Sequence, residues 1–116
     1  MLSSLFANTR EIVALKTAED CDAVLVKPLA VLFKHSRSCS LSSSAKAAVL
    51  EYRDAHPDAP IFMVFAQQRE LSRHVAEATG VPHASPQVIV LRNGDLVGSV
   101  SHHGITVESL AELIEN

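Results

Sequence analysis

The feature that most constrains the fold is Ile61–Phe65, a run of apolar residues with no polar residue between them. A strand buried on one face alternates apolar and polar residues, so this run predicts a strand covered on both faces. Further apolar runs occur at 12–15, 29–33 and 88–91, and a run interrupted by Gly98 and Ser99 occurs at 96–100. Segments with helical spacing separate the runs at 12–15, 29–33, 61–65 and 88–91. This alternation predicts parallel strands joined by right-handed crossovers.

Local signals indicate where the helices begin and end. A capping box is predicted at Thr17–Asp20, Pro57 follows the second predicted helix, and Gly80 ends the third. Thr106 is the predicted N-cap of the last helix. The predicted helices run from Thr17 to about Leu25, from Leu41 to near His56–Pro57, from about Leu71 to Gly80, and from Thr106 to Ile114.

Asn93–Gly94 lies between the last two apolar runs. This dipeptide between apolar segments is the strongest short-range signal for a β-hairpin. The predicted order is therefore βαβαβα followed by a hairpin and a helix, that is βαβαβαββα. We expect an α/β fold in the thioredoxin-like arrangement, with a mixed central sheet and helices on both faces. One domain covering residues 1–116 is the expectation for a chain of this length.

Cys39 lies at the junction between the run 29–33 and the long helix. The unpaired N–H groups and the positive dipole of a helix start stabilise a thiolate, which lowers the thiol pKa. Lys34, His35 and Arg37 add cationic or ionisable groups close by. The sequence therefore predicts Cys39 as a redox nucleophile, and the alternative is an inert, half-buried cysteine.

Cys39 and Ser42 form a Cys-x-x-Ser pattern, which lacks the second thiol that resolves a mixed disulfide internally. A one-thiol enzyme can still accept a small thiol, and a second small thiol then regenerates it. Cys21 lies between Asp20 and Asp22, whose carboxylates would raise the pKa of its thiol. We expect Cys21 to be a packing or surface residue, with a resolving role as the alternative.

Ser85–Pro86–Gln87 precedes the fourth apolar run. In the thioredoxin-like arrangement a cis-proline faces the active cysteine at this place, so a cis bond before Pro86 is predicted. The backbone of Ser85 could then pair with an extended substrate segment. An ordinary trans-proline that begins a strand is the alternative.

Histidines near Cys39 raise the question of a metal site. His35 with His83, His102 and His103 matches no standard zinc spacing, so no metal is expected. We expect His35 instead to stabilise or position the thiolate, or to cap the loop.

These motifs together resemble the YtxJ-like family, the monothiol bacilliredoxins. The likeness covers about Thr17 to Ile114. It rests on Lys34-His35-Ser36 with Cys39 and Ser42, on Gln68–Ser72, on Gly80-Val81 with His83, on Ser85-Pro86-Gln87, on Asn93-Gly94, and on Ser101-His102 with Ile105-Thr106.

The resemblance implies an oxidoreductase that removes bacillithiol from protein mixed disulfides, with bacillithiol and bacillithiolated proteins as partners and no bound cofactor. Cys39 would be the nucleophile. The remaining site residues would stabilise or position the thiolate (His35, Ser36, Arg37 and Ser42) or bind substrate (Lys34, Ser85, Pro86 and Gln87). Lys34 and Arg37 could pair with the carboxylates of the malate portion of bacillithiol.

Composition excludes other classes of function. A net charge of −3, with 4% aromatic residues and no tryptophan, argues against nucleic-acid binding. The sequence contains no apolar run of membrane-spanning length and no secretory signal pattern, so a cytoplasmic protein is expected. Two alternatives to the oxidoreductase are a non-catalytic thioredoxin-fold binding module and a Cys-x-x-Ser cluster carrier of the glutaredoxin kind.

Overall fold

The structure is a computed structural model that describes residues 12–37 and 40–116. The strands are β1 (Val13–Ala14), β2 (Leu29–His35), β3 (Ile61–Phe65), β4 (Gln87–Arg92) and β5 (Asp95–Ser101). The helices are α1 (Ala18–Leu25), α2 (Ser40–Ala55), α3 (Arg69–Thr79) and α4 (Val107–Glu115), and a 3-10 turn occupies His102–Gly104.

The five strands form one sheet in the order β1-β3-β2-β4-β5. β1, β3 and β2 are parallel, whereas β4 is antiparallel to β2 and β5 is antiparallel to β4. The predicted α/β fold with a mixed central sheet is confirmed. The expectation that the run at 88–91 forms a strand parallel to its neighbours is wrong, because β4 is antiparallel to both β2 and β5.

The two faces of the sheet bury separate cores, because successive side chains of a strand point to opposite faces. Val31 and Phe33 of β2 pack with residues of α2 and α4, and we call this side the α2/α4 face. Ala30 and Leu32 pack with residues of α1 and α3, which form the α1/α3 face. Any residue of β2 can therefore be assigned to a face by counting along the strand.

Turn and cap residues occupy the predicted positions. The side chain of Thr17 accepts a hydrogen bond from Asp20 N–H at 3.1 Å, which completes a capping box, and Thr106 does the same for α4. Gly80 ends α3 in the left-handed region, and both Asn93 and Gly94 have positive φ in the hairpin turn. Within the described residues, no helix is long and apolar enough to cross a membrane.

β2 is longer than the sequence predicted, because it continues through Lys34 and His35. Both were expected to lie in a polar loop after Phe33. The ladder to β3 instead pairs them with Val64 and Phe65, and both side chains are buried. Lys34 is also paired with Gln87 of β4, whereas His35 is held by the ladder to β3, and this pairing keeps both residues in the sheet despite their polarity.

Candidate active site

The candidate site lies where β2 ends and the chain leads into α2. Cys39, the predicted nucleophile, and Ser38 lie outside the described residues, so the nucleophilic role of Cys39 stays a prediction. The helix α2 begins at Ser40, the next residue in the chain. Its first turn therefore follows Cys39 directly in sequence, as the prediction of a helix-start thiolate requires.

Hydrogen bonds hold the polar segment that precedes Cys39. The backbone N–H of Ser36 donates to Ser42 Oγ at 3.1 Å, and Ser42 is completely buried in the first turns of α2. Gln67 Nε2 donates to Ser36 Oγ at 3.2 Å from the loop after β3. Ser36 is thus tied to two neighbouring elements, and the role of Ser36 and Ser42 in positioning the thiolate stays a prediction.

His35 lies on the α2/α4 face in an aromatic setting. Its ring centroid is 5.5 Å from that of Phe33 and 5.9 Å from that of Phe65. Burial lowers the pKa of His35, and the positive charges of Lys46 and Arg37 lower it further. The imidazole is therefore neutral at pH 7. Within the described residues its buried Nδ1 has no hydrogen-bond partner.

Arg37 lies over the ring of Phe65, with the guanidinium carbon 3.8 Å from the ring centroid. This is a cation–π contact, and it keeps an exposed positive charge at the segment that leads to Cys39. The predicted role of Arg37 near the thiolate stays a prediction.

Lys34 lies on the opposite face of the sheet from His35, the α1/α3 face, and has no exposed surface. Its Nζ is 3.4 Å from the carbonyl oxygen of Ser72, to which it donates, and 3.2 Å from His83 Nδ1. Burial lowers the pKa of Lys34 to about 8, although the nearby Cys21 partly opposes this shift. Direct pairing of Lys34 with a ligand carboxylate, which the sequence suggested, is not available in this arrangement because the ammonium is enclosed.

The bond between Ser85 and Pro86 is cis, as predicted. The carbonyl of Pro86 accepts a hydrogen bond from His102 N–H at 2.9 Å, which joins this loop to the 3-10 turn. Gln87 is only 2% exposed and its Nε2 donates to Pro82 O at 3.1 Å. Gln87 therefore holds the loop from within, whereas the sequence suggested that it binds substrate. The predicted pairing of a substrate with the Ser85 backbone stays a prediction.

Cys21 is completely buried in α1, which confirms the packing role. Burial raises the pKa of its thiol to about 11, and the charge of Asp22 adds to the increase. Donor atoms of Cys21, Asp22 and His74 lie within 4.8 Å of one another and could hold a metal ion. A thiol with this pKa is protonated at pH 7, and Asp22 already binds His74 at 2.8 Å. The trio is therefore a poor metal site, since a thiolate is the ligand form.

The comparisons with known proteins agree with this architecture. Residues 13–110 match the family model described as monothiol bacilliredoxin BrxC. The chain belongs to this family. A solved structure of a proposed oxidoreductase with a thioredoxin fold is 28% identical, with a TM-score of 0.84, and the match covers 91% of this chain and 96% of that one.

Thioredoxins show the same fold at lower identity. The thioredoxin of Fasciola hepatica is 21% identical with a TM-score of 0.71, and the match covers 90% of this chain and 97% of that one. Mitochondrial thioredoxin 3 of Saccharomyces cerevisiae is 16% identical with a TM-score of 0.73, covering 93% and 97%. Family membership and the 28% identical oxidoreductase support a thiol oxidoreductase-like role.

The sequence did not predict a cavity of about 410 Å³ beside the start of α3. It is lined by Ala66, Arg69, Ser72, Arg73, Ala76 and His83. Two of the lining segments, Gln68–Ser72 and the loop with His83, belong to the motifs that mark the family, and the sequence did not predict that they meet at one cavity. The helical spacing of positions 69, 72, 73 and 76 was the available signal that they share one face.

Proposed function

We propose that this bacilliredoxin is a one-thiol oxidoreductase that removes bacillithiol from cytoplasmic proteins carrying it as a mixed disulfide. The Cys39 thiolate attacks the bacillithiol sulfur, the disulfide to the client breaks, and the client leaves as a thiolate that takes a proton. A second bacillithiol thiolate then attacks the adduct on Cys39. The symmetric bacillithiol disulfide forms, and the Cys39 thiolate is restored.

The observation that carries the proposal is the bond from Ser36 N–H to Ser42 Oγ. It ties the segment before Cys39 to the first turns of α2, where backbone N–H groups and the helix dipole favour an anion. A thiolate in such a setting is reactive at neutral pH. Family membership supplies the reaction class, and bacillithiol is a co-substrate in this scheme with no resident cofactor.

The remaining residues support a route with one thiol. Cys21 is fully buried with a thiol pKa of about 11, so it is a poor resolving nucleophile. The neutral imidazole of His35 can donate a hydrogen bond to a nearby thiolate without carrying a charge of its own. Arg37 adds a positive charge to the same segment, which favours both the thiolate and an anionic small thiol.

In the test, the reduced protein is mixed with a client protein that carries bacillithiol, and the masses of both intact proteins are followed by mass spectrometry. We expect the adduct to leave the client and to appear on the wild-type protein, and added bacillithiol then removes it. Cys39→Ser should abolish transfer, and Cys21→Ser should retain it. Transfer that persists in Cys39→Ser, or tight client binding without any transfer in the wild type, would overturn the proposal.

A further inference from the structure

The cavity beside α3 presents positive charge that the fold does not use. Arg69 and Arg73 are one helical turn apart, and both are exposed. Within the described part of the chain, neither forms a salt bridge. Arg69 also occupies the first turn of α3, where a cation is disfavoured by the helix dipole. The described contacts therefore give neither arginine a charged partner within the fold.

The floor of the cavity also presents hydrogen-bond donors. Ser72 is 4% exposed, and its Oγ is a buried hydroxyl with no hydrogen-bond partner in the part of the chain that the structure describes. A charged Lys34 can only donate, so His83 Nδ1 is the acceptor in their 3.2 Å contact. The proton of the neutral His83 ring then lies on Nε2, and the ring keeps one donor for another partner.

These groups together select an anion. Among the described residues, no acidic side chain lines the cavity, and the lining offers two guanidinium groups, a hydroxyl and an imidazole N–H. A guanidinium binds a planar carboxylate through two parallel hydrogen bonds. The cavity volume of about 410 Å³ falls within the range of small-molecule sites.

The cavity is also joined to the strand that leads to the predicted nucleophile. Ala66, which lines it, donates its backbone N–H to the carbonyl of His35 at 2.9 Å. The next residue, Gln67, donates to Ser36 Oγ. Cys39 follows His35 by four residues in the chain. A small molecule whose sulfur reacts at Cys39 could therefore extend a second part of itself towards this cavity.

We propose that the cavity binds the carboxylates of the small thiol, with Arg69 and Arg73 as the principal contacts and His83 and Ser72 as additional donors. This inference rests on the proposed function, since it assigns the subsite that distinguishes a carboxylate-bearing thiol from an uncharged or cationic one. Lys34 acts as a positioning residue, because it fixes the tautomer of His83 without contacting the ligand.

The first experiment measures binding without chemistry. In the Cys39→Ser protein, calorimetry compares bacillithiol disulfide with cystamine, a disulfide that has no carboxylate. Arg69→Gln with Arg73→Gln should weaken binding of bacillithiol disulfide by about tenfold or more, and it should not weaken binding of cystamine, which is a dication. The matched control is Lys16→Gln with Lys27→Gln, which removes the same net charge from exposed sites outside the cavity. Equal affinities in all three proteins would overturn the proposal.

The second experiment separates the subsite from the reaction. With Cys39 present, the arginine pair variant should raise KM for a client carrying bacillithiol and leave kcat nearly unchanged. A client carrying cysteamine should react equally with all variants. If bacillithiol disulfide binds normally and only client affinity falls, the cavity serves acidic groups of the client, and the proposal is wrong. If the arginine variant weakens disulfide binding but the wild type transfers nothing, the cavity assignment stands and the proposed function fails.

Discussion

Lys34 and His35 are neighbours in sequence, and their side chains are buried on opposite faces of the sheet. His35 lies between aromatic rings on the α2/α4 face and has no described hydrogen-bond partner for Nδ1. Lys34 lies on the α1/α3 face, and its ammonium contacts Ser72 and His83. Burial lowers the pKa of both residues.

The difference shows how one strand can serve two sites. The alternation of β2 sends the histidine towards the segment that precedes Cys39 and the lysine towards the cavity beside α3. We infer that His35 affects the chemistry at the sulfur, whereas Lys34 affects the orientation of His83. Replacing one residue at a time should therefore produce separable effects.

The largest effect is expected for His35→Leu. In the proposed function the imidazole donates a hydrogen bond to the thiolate, so its loss should raise the pKa of Cys39. Alkylation of Cys39 by iodoacetamide at pH 7 should slow by about tenfold, the factor that one pKa unit carries. Lys34→Met, on the other face, should leave the alkylation rate unchanged. Equal slowing by both substitutions would mean that the two faces do not act independently.

Lys34→Met should change stability in another pH range. The folded pKa of Lys34 is about 8 and its ordinary value is 10.5, so above pH 8 the native state binds fewer protons than the unfolded state. Wild-type stability should rise through this window, by about 1 kcal/mol between pH 8 and pH 9 relative to Lys34→Met. Urea unfolding at both pH values measures this difference. Cys21 acts with the opposite sign only above pH 9, because its pKa is raised from 9.0 to about 11.

A flat difference between the two proteins from pH 8 to pH 9 would show that Lys34 keeps an ordinary pKa. The enclosed contacts with Ser72 and His83 would then stabilise the ammonium as well as water does.

A smaller effect is expected for the contact between Arg37 and Phe65. A double-mutant cycle with Arg37→Ala and Phe65→Leu should give a coupling free energy of about 0.5 kcal/mol in urea unfolding, as for exposed cation–π pairs. Arg37→Ala alone should also raise the pKa of His35, because it removes one of the positive charges beside the imidazole. A coupling free energy of zero would show that the contact between Arg37 and Phe65 does not stabilise the fold.

The smallest effect should be seen at His83. Burial lowers its pKa, and the charge of Lys34 lowers it further, so Lys34→Met should raise it. NMR titration of the ring protons follows this shift. His35 provides the internal control, since its pKa is lowered by burial, Lys46 and Arg37 and should not respond to Lys34→Met. A shift at His35 would contradict the separation of the two faces.

The sequence predicted those features whose cause is local. Thr17 is followed by an acidic partner three residues later, and Asn93–Gly94 needs only its own backbone to form the turn. The wholly apolar run 61–65 marked a strand buried on both faces. The cis bond before Pro86 was predicted from the arrangement of the elements, which is itself built from these local patterns.

The burial of Lys34 could not be predicted in this way. Its partners Ser72 and His83 are 38 and 49 residues away in the chain, and nothing around Lys34 indicates them. A charged residue after an apolar run is normally the start of a loop, which is why β2 was predicted to end at Phe33. Four residues of the cavity beside α3 share one helix face, but His83 reaches it from a loop beyond the helix, and nothing local in the sequence indicates that meeting.

The serine at position 42 has a structural role in this one-thiol protein. A two-thiol relative would carry its second sulfur there, but in this chain the buried hydroxyl is the acceptor for the Ser36 amide. Sulfur is a weak acceptor, so Ser42→Cys would add a resolving thiol and loosen the attachment of the preceding segment in the same step. Faster hydrogen exchange at the Ser36 amide would register that loss. In this protein, the oxygen of Ser42 both takes the place of a second sulfur and holds the backbone of Ser36.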